Sequence, residues 1–240
     1  MTFDVFEFSN MGGRDHNEDA VGHSVSGDNG IFVVADGLGG HSYGELASAS
    51  VIDTILGSWK QEEADRTGWI SSAVLEANNK LLLLQKEKNT VLKSTVVLLT
   101  IDGNQATWAH SGDSRLYYIH NGWIQKITED HSVAYMKYKA GEINRDDLAT
   151  DEDQSRLLRT LGGEDRFEPE IFVNDISLES GDGFLLCSDG AWEYLRDGEI
   201  PIDMLKANDA KEWAELLLLR MMDRIVMGND NLTLLTLMVR

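Results

Sequence analysis

One cysteine and two prolines stand in a chain of 240 residues. A lone Cys187 excludes an intrachain disulfide framework, and no C-x-x-C pair offers a zinc site. With so little proline and no low-complexity tract, nothing marks a linker, and residues 1–240 read as a single domain. Positive charge is also scarce: 21 Lys and Arg face 41 Asp and Glu, a formal net charge of −20. A field of that sign repels nucleic acid and anionic membranes, so neither is expected as a partner, and it attracts cations. No window approaches the roughly 18 uncharged apolar residues of a membrane span. The first residues lack a basic stretch followed by an apolar one, so no secretory leader is expected and the chain reads as cytoplasmic. No H-x-x-x-H pair and no G-x-x-x-x-G-K-[ST] phosphate loop occurs. Cysteine phosphatase chemistry needs Arg six residues after the nucleophile, and Glu193 stands there; Cys187 reads as a core residue.

What is present is a core. Hydrophobic residues make up 42% of the chain, enough for a globular domain. Residues 2–9 alternate loosely, as an edge strand does, and residues 30–36 read as a buried strand. Ala47, Val51 and Ile55 form one row of a helix over 44–59, and Ile70, Ala77, Leu81 and Leu84 a stripe over 67–87. From residue 94 the period changes. STVVLLTI is β-branched and continuous, and Asn121-Gly122 between two apolar pairs signals a hairpin. Residues 94–127 therefore read as an antiparallel meander. Helical pieces are expected at 132–140 and 151–160, with a mobile stretch at 141–150. A strand is expected at 183–188, a helix at 209–226 and a last strand at 232–239. Antiparallel strands kept apart from helices make an α+β chain, with about nine to eleven strands in two face-to-face sheets and four long helices outside.

Four aspartates then share one setting. Asp36 and Asp189 end buried strands and are followed by Gly; Asp113 breaks a strand at HSGDSR; Asp230 precedes the last strand in GNDN. Each alone is ordinary turn chemistry. Converging, they would repel one another and need a cation. Oxygen donors without matching His or Cys select Mg²⁺ or Mn²⁺, with Ca²⁺ a further option. Such ions commonly activate water against a phosphoryl centre. Arg14 offers a planar fork that fits a phosphate, and Glu18 and Asp19 add oxygens.

Eight short motifs, in order, resemble the PP2C (PPM) family of metal-dependent serine/threonine protein phosphatases in its bacterial form. They are RDHNEDA (14–20), VADGLGG (34–40), Ser94-Thr95, HSGDSR (110–115), TEDHS (128–132), LRTLG (158–162), Ser188-Asp189-Gly190 and Asp230-Asn231-x-Thr233. The resemblance implies a four-layer αββα sandwich with two Mn²⁺ or Mg²⁺ ions at one end. It implies that Asp36 bridges both ions, that the Gly37 carbonyl helps hold one, and that Asp189 and Asp230 hold the other. Asp113 then matches the ligand of a third, weaker metal, Glu18 and Asp19 orient waters, and Arg14 binds the phosphate. Residues 133–156 match a variable flap. The implied reaction is hydrolysis of phosphoserine and phosphothreonine in proteins by a metal-activated water, by a monomer that opposes a Ser/Thr kinase. Two other readings compete: a catalytically silent module with a phosphatase-like fold, and a phosphatase of a small metabolite. There are departures. Leu38 stands where animal members carry His, which leaves a water or His41 to protonate the leaving oxygen. Lys93 replaces a usual Gly and the first residue of HSGDSR replaces a usual Asn. Glu193 sits where some members have Asp.

Overall fold

The structure, a computed structural model, describes residues 1–39, 43–60, 65–163 and 170–240. The strands are β1 (Phe3–Asn10), β2 (Asp19–Ser26), β3 (Asn29–Leu38), β4 (Lys93–Ser94), β5 (Val96–Asp102), β6 (Gln105–Ser111), β7 (Arg115–His120), β8 (Trp123–Ile127), β9 (Glu170–Ser177), β10 (Gly183–Cys187) and β11 (Leu232–Val239). The helices are α1 (Tyr43–Ser58), α2 (Arg66–Lys88), α3 (Val133–Ala140), α4 (Asp189–Trp192), α5 (Glu199–Lys206) and α6 (Ala210–Met222), with a 3-10 turn at Arg145–Thr150. One sheet runs β1-β11-β10-β7-β8. The other runs β2-β3-β5-β6-β9, with β4 paired to β3. Every pairing is antiparallel.

The alternation of side chains explains the layering. In β3, Ile31, Val33 and Ala35 face α1 and α2, whereas Phe32 and Val34 face the other sheet. In β10, Leu185 and Cys187 face α6, whereas Phe184 and Leu186 join the inter-sheet core. Strands covered on both faces read as unbroken apolar runs, which is why 31–35, 96–99 and 184–187 show no polar alternation. The expected αββα sandwich is the fold observed.

Several expectations change in detail. Residues 94–127 are not one meander: β5 and β6 form a hairpin in one sheet, β7 and β8 a hairpin in the other. The chain changes sheets through Gly112-Asp113-Ser114, where Gly112 has φ +104° and its α-carbon lies against Thr95. The Asn121-Gly122 turn is as read, with φ 52° and 74°. Residues 151–160 form no helix. Their main chain pairs instead with neighbours, Val133 N donating to Arg156 O and Leu158 N to His131 O. The stretch 141–150, expected as mobile, contains the 3-10 turn, whose Asn144 and Asp147 cap each other. The last helix ends at Met222 rather than 226, because Arg224 folds back onto the Tyr194 carbonyl and Glu199. Among the described residues three helices, α1, α2 and α6, are long; α3 and α5 are two turns each.

Candidate metal-dependent active site

One end of the sandwich collects the acidic residues. The cross-strand register sets Asp19 of β2 opposite Asp36 of β3. Thr95 fixes the end of β3 from both sides: its N–H donates to the Asp36 carbonyl at 2.8 Å, and its Oγ1 accepts from the Asp36 N–H at 2.9 Å. Asp189 opens α4 directly after β10, and its carboxylate accepts from the Gly190 N–H at 2.6 Å. Asp230 precedes β11, next to Asn231. Asp113 lies on the segment that switches sheets, its carbonyl held by Trp192 Nε1 at 2.9 Å. Trp192 is held in turn beneath Arg115, whose guanidinium sits 3.4 Å above the ring and pairs bidentately with Asp130.

Asn231 ties the loop after β1 to this frame. Its Nδ2 donates to the carbonyls of Met11 and His16, and its Oδ1 accepts from the Glu18 N–H at 2.7 Å. That positions Arg14, whose Nη2 donates to Asp230 Oδ2 at 2.7 Å. At Gly37 the packing leaves no room for a side chain: an added β-carbon would lie 1.9 Å from the Gly44 carbonyl oxygen. The glycine here serves the close approach of β3 to α1.

An open cavity of about 670 Å³ joins these groups; Arg14, Glu18, Asp36, Gly37, Asp113, Asp189 and Asp230 all line it. Asp19 does not line it. Asp19 is buried behind it, accepting from Ser188 Oγ at 2.7 Å. Ser155 of the 133–156 segment and Leu157 just after it close one side. Sequence reasoning missed Gln154, which donates to Glu193 beside Asp189; nothing in the local pattern marks it. It also missed the pinning by Asn231, although the Asp-Asn pair was legible. Lys93 sits in β4 opposite Leu38, at the edge of the β3 end. His41 lies outside the described residues.

The electrostatics are those of crowded carboxylates. Burial first, then Asp19, Asp189, Asp113 and Asp230, push the Asp36 carboxyl well above its usual range. Burial and the neighbouring Asp189 and Asp230 raise Asp19 to about 7, although Ser188 and Thr233 oppose the shift. Burial and Asp230 raise Asp189 to about 6. Burial and Asp189 raise Asp113 as well. Glu193 rises to about 8, from burial first and then Asp189 and Asp230. Arg14 is the cation among the cavity's lining residues that pairs with this ring, and over half of its side chain is exposed. Among the described residues, no three of these carboxylates bring one oxygen each within 4.8 Å of the others. An oxygen-rich ring of this kind suits hard ions that keep some of their waters. The all-oxygen donor set and the uncompensated negative charge fit Mg²⁺ or Mn²⁺.

A family model described as protein phosphatase 2C matches residues 9–224. The chain belongs to the protein phosphatase 2C family. Among its relatives, a serine/threonine phosphatase Stp of Listeria monocytogenes is 30% identical over 92% of this chain and 90% of its own. The protein phosphatase PhpP of Streptococcus pneumoniae is 30% identical over 78% of each chain. The crystal structure of the Mycobacterium tuberculosis serine/threonine phosphatase PstP/Ppp superposes with a TM-score of 0.87, at 26% identity and over 100% of both chains. A structure of the PstP catalytic domain in complex with two manganese ions has a TM-score of 0.84, at 27% identity and over 99% of both. The sequence resemblance to this family, in its bacterial form, is borne out.

Proposed function

We propose that this phosphatase 2C member hydrolyses phosphoserine and phosphothreonine in proteins with two Mn²⁺ or Mg²⁺ ions. The observation that carries the reading is the convergence of Asp36, Asp189 and Asp230 on one cavity with Arg14 at its rim. Asp36 and the Gly37 carbonyl would hold the ions with Asp189 and Asp230, and Asp113 a third, weaker one. Bound divalent ions supply a nucleophilic water at neutral pH and offset the charge of the phosphate. Arg14 leaves Asp230 to grip two phosphate oxygens, a stronger contact because both partners are charged. Glu18, fixed through Asn231, and Asp19, fixed through Ser188, hold the water network that shapes the attack. The similar PstP catalytic domain, solved in complex with two manganese ions, supports the choice of ion.

The whole chain acts as a single phosphatase domain, with 133–156 as a flap bordering the substrate entrance. Its partners are phosphorylated proteins and a Ser/Thr kinase that it opposes. It works as a cytoplasmic monomer; among the described residues no helix is long and apolar enough to cross a membrane. The test is hydrolysis of a phosphothreonine peptide and of a sugar phosphate by the purified protein, each with Mn²⁺ and with EDTA. Metal-dependent turnover of the peptide, faster than of the sugar phosphate, supports the reading. Preference for the sugar phosphate moves it to metabolite chemistry. No turnover of either with any divalent ion makes the fold a binding module.

A further inference from the structure

Away from the acidic cavity, β6, the TEDHS segment and β9 bring two imidazoles and a carboxylate together. His110 and Glu170 are cross-strand partners on β6 and β9. The rings of His110 and His131 stack with centroids 4.6 Å apart and planes 9° from parallel. His131 Nε2 lies 3.0 Å from Glu170 Oε2. Among the described residues this is the one trio of His, Cys, Asp or Glu whose donor atoms all lie within 4.8 Å of each other. We propose that His110, His131 and Glu170 form a second metal site, of a different chemical class, that takes Zn²⁺ or a similar borderline transition ion.

The donor set separates it from the catalytic ring. Two imidazoles and one carboxylate suit Zn²⁺ and Co²⁺, whereas oxygen-only sites suit Mg²⁺ and Mn²⁺. The hydrogen bonds decide which nitrogens are free. His110 Nε2 lies 2.8 Å from the Glu129 carbonyl, which can only accept, so Nε2 carries the proton and Nδ1 keeps its lone pair. A ring held by a backbone carbonyl through one nitrogen is the usual arrangement of a metal-ligating histidine. His110 is 4% exposed, and its burial leaves the ring neutral below its usual range. His131 is the same Nε2–H tautomer but is held the other way round: the Gly112 N–H donates to Nδ1 at 3.2 Å, so Nε2–H points to Glu170. An ion entering here takes the place of that proton. The proton moves to Nδ1, and the Gly112 contact is given up, one residue from Asp113. A tetrahedral ion with bonds of about 2.0–2.1 Å needs donors roughly 3.3 Å apart. Glu170, whose side chain is 51% exposed, closes on the ion, and the His131 ring turns out of its parallel stack on His110 so that the in-plane lone pairs of both rings meet it. A weak contact to Arg159 at 3.9 Å is lost in the same movement.

The test uses Co²⁺ as a coloured stand-in on the full chain, with Mn²⁺ present to fill the oxygen ring. Tetrahedral Co²⁺ on imidazoles absorbs visible light intensely; octahedral Co²⁺ on oxygens absorbs weakly. The wild type should show one equivalent of the intense band, and one equivalent of Zn²⁺ should bleach it. His110→Asn, which installs the residue usual for the family motif, and Glu170→Gln should each abolish the band. Far-ultraviolet circular dichroism and Mn²⁺-dependent turnover of His110→Asn should stay within about twofold of wild type. A wild type with no intense band, or a band that survives in both variants, overturns the proposal. Because the readout is ligation and not turnover, it stands apart from the phosphatase reading.

Discussion

Asp19 and Asp36 face each other across two paired strands, and like charges so placed destabilise a sheet. A retained proton or a cation relieves that pairing, and within the cavity lining Arg14 is bound to Asp230 instead. Asp36, Asp189 and Asp230 were legible because a carboxylate beside Gly or Asn at the end of an apolar strand is a definite signal. Asp113 was legible for the same reason, although its strand proved to be a change of sheet. The supports were not legible: Ser188 on Asp19, Trp192 on the Asp113 carbonyl and Asn231 on the Arg14 loop act across more than 75 residues each. At this scale Arg14→Ala should lower kcat/KM for a phosphothreonine peptide by about 10–100-fold, the worth of a charged hydrogen bond of roughly 1.5–3 kcal/mol. Mn²⁺ affinity, read by calorimetry, should not weaken, since Asp230 loses its competing partner. Unchanged peptide kinetics would remove Arg14 from the site.

Among elements, the approach of β3 to α1 fixes the metal end of the sandwich. The Gly37 N–H donates to the Glu18 carbonyl at 3.0 Å, and Gly37 and Gly44 touch with no side chain between them. Gly37→Ala should force β3 off α1, lowering stability by about 1–3 kcal/mol and raising the Mn²⁺ concentration needed for half-maximal activity. Gly57→Ala in α1 is the control, because a β-carbon there meets nothing within 4 Å; it should be neutral or stabilise by about 0.5–1 kcal/mol. Equal thermal unfolding of the two variants would contradict the packing argument. Long periodic elements such as α1, α2 and β11 could be read within a residue or two. The flap could not. DEDQSRLLRT has no apolar period, and its conformation comes from main-chain bonds to residues 131 and 133. β2 and β9 also escaped, since GHSVS and EIFVNDIS carry mixed polarity at the outer edges of a sheet.

For the whole molecule, the raised carboxyls predict a pH dependence with an unusual sign. Asp19 and Asp189 move from 3.8 up to about 7 and about 6. Glu18, Asp36, Asp113 and Glu193 move in the same direction. Through these groups the folded chain holds more protons than the unfolded one between these limits; the lowered Asp151, Asp153, Glu170, Glu199 and Asp203 oppose this only at the acid end. The stability they contribute is complete below the unfolded values and is lost as pH rises through the folded ones. His110 and His131, both lowered, act the other way but are outnumbered. In EDTA the melting temperature should therefore fall between pH 5 and pH 8. Saturating Mn²⁺ should cancel or reverse that fall, because the ions favour the ionised ring. A metal-free melting temperature that rises over this range would contradict the electrostatic account.

The most direct measurement compares wild type and Asp189→Asn in saturating Mn²⁺, recording phosphothreonine-peptide turnover and Mn²⁺ stoichiometry on the same samples. Asp189 is a proposed ligand on α4 that neither Arg14 nor the flap can replace. The account predicts a folded variant that binds fewer ions and turns over at least about 10²-fold more slowly, the scale of losing one group that stabilises developing charge. A variant that turns over within twofold of wild type would contradict it.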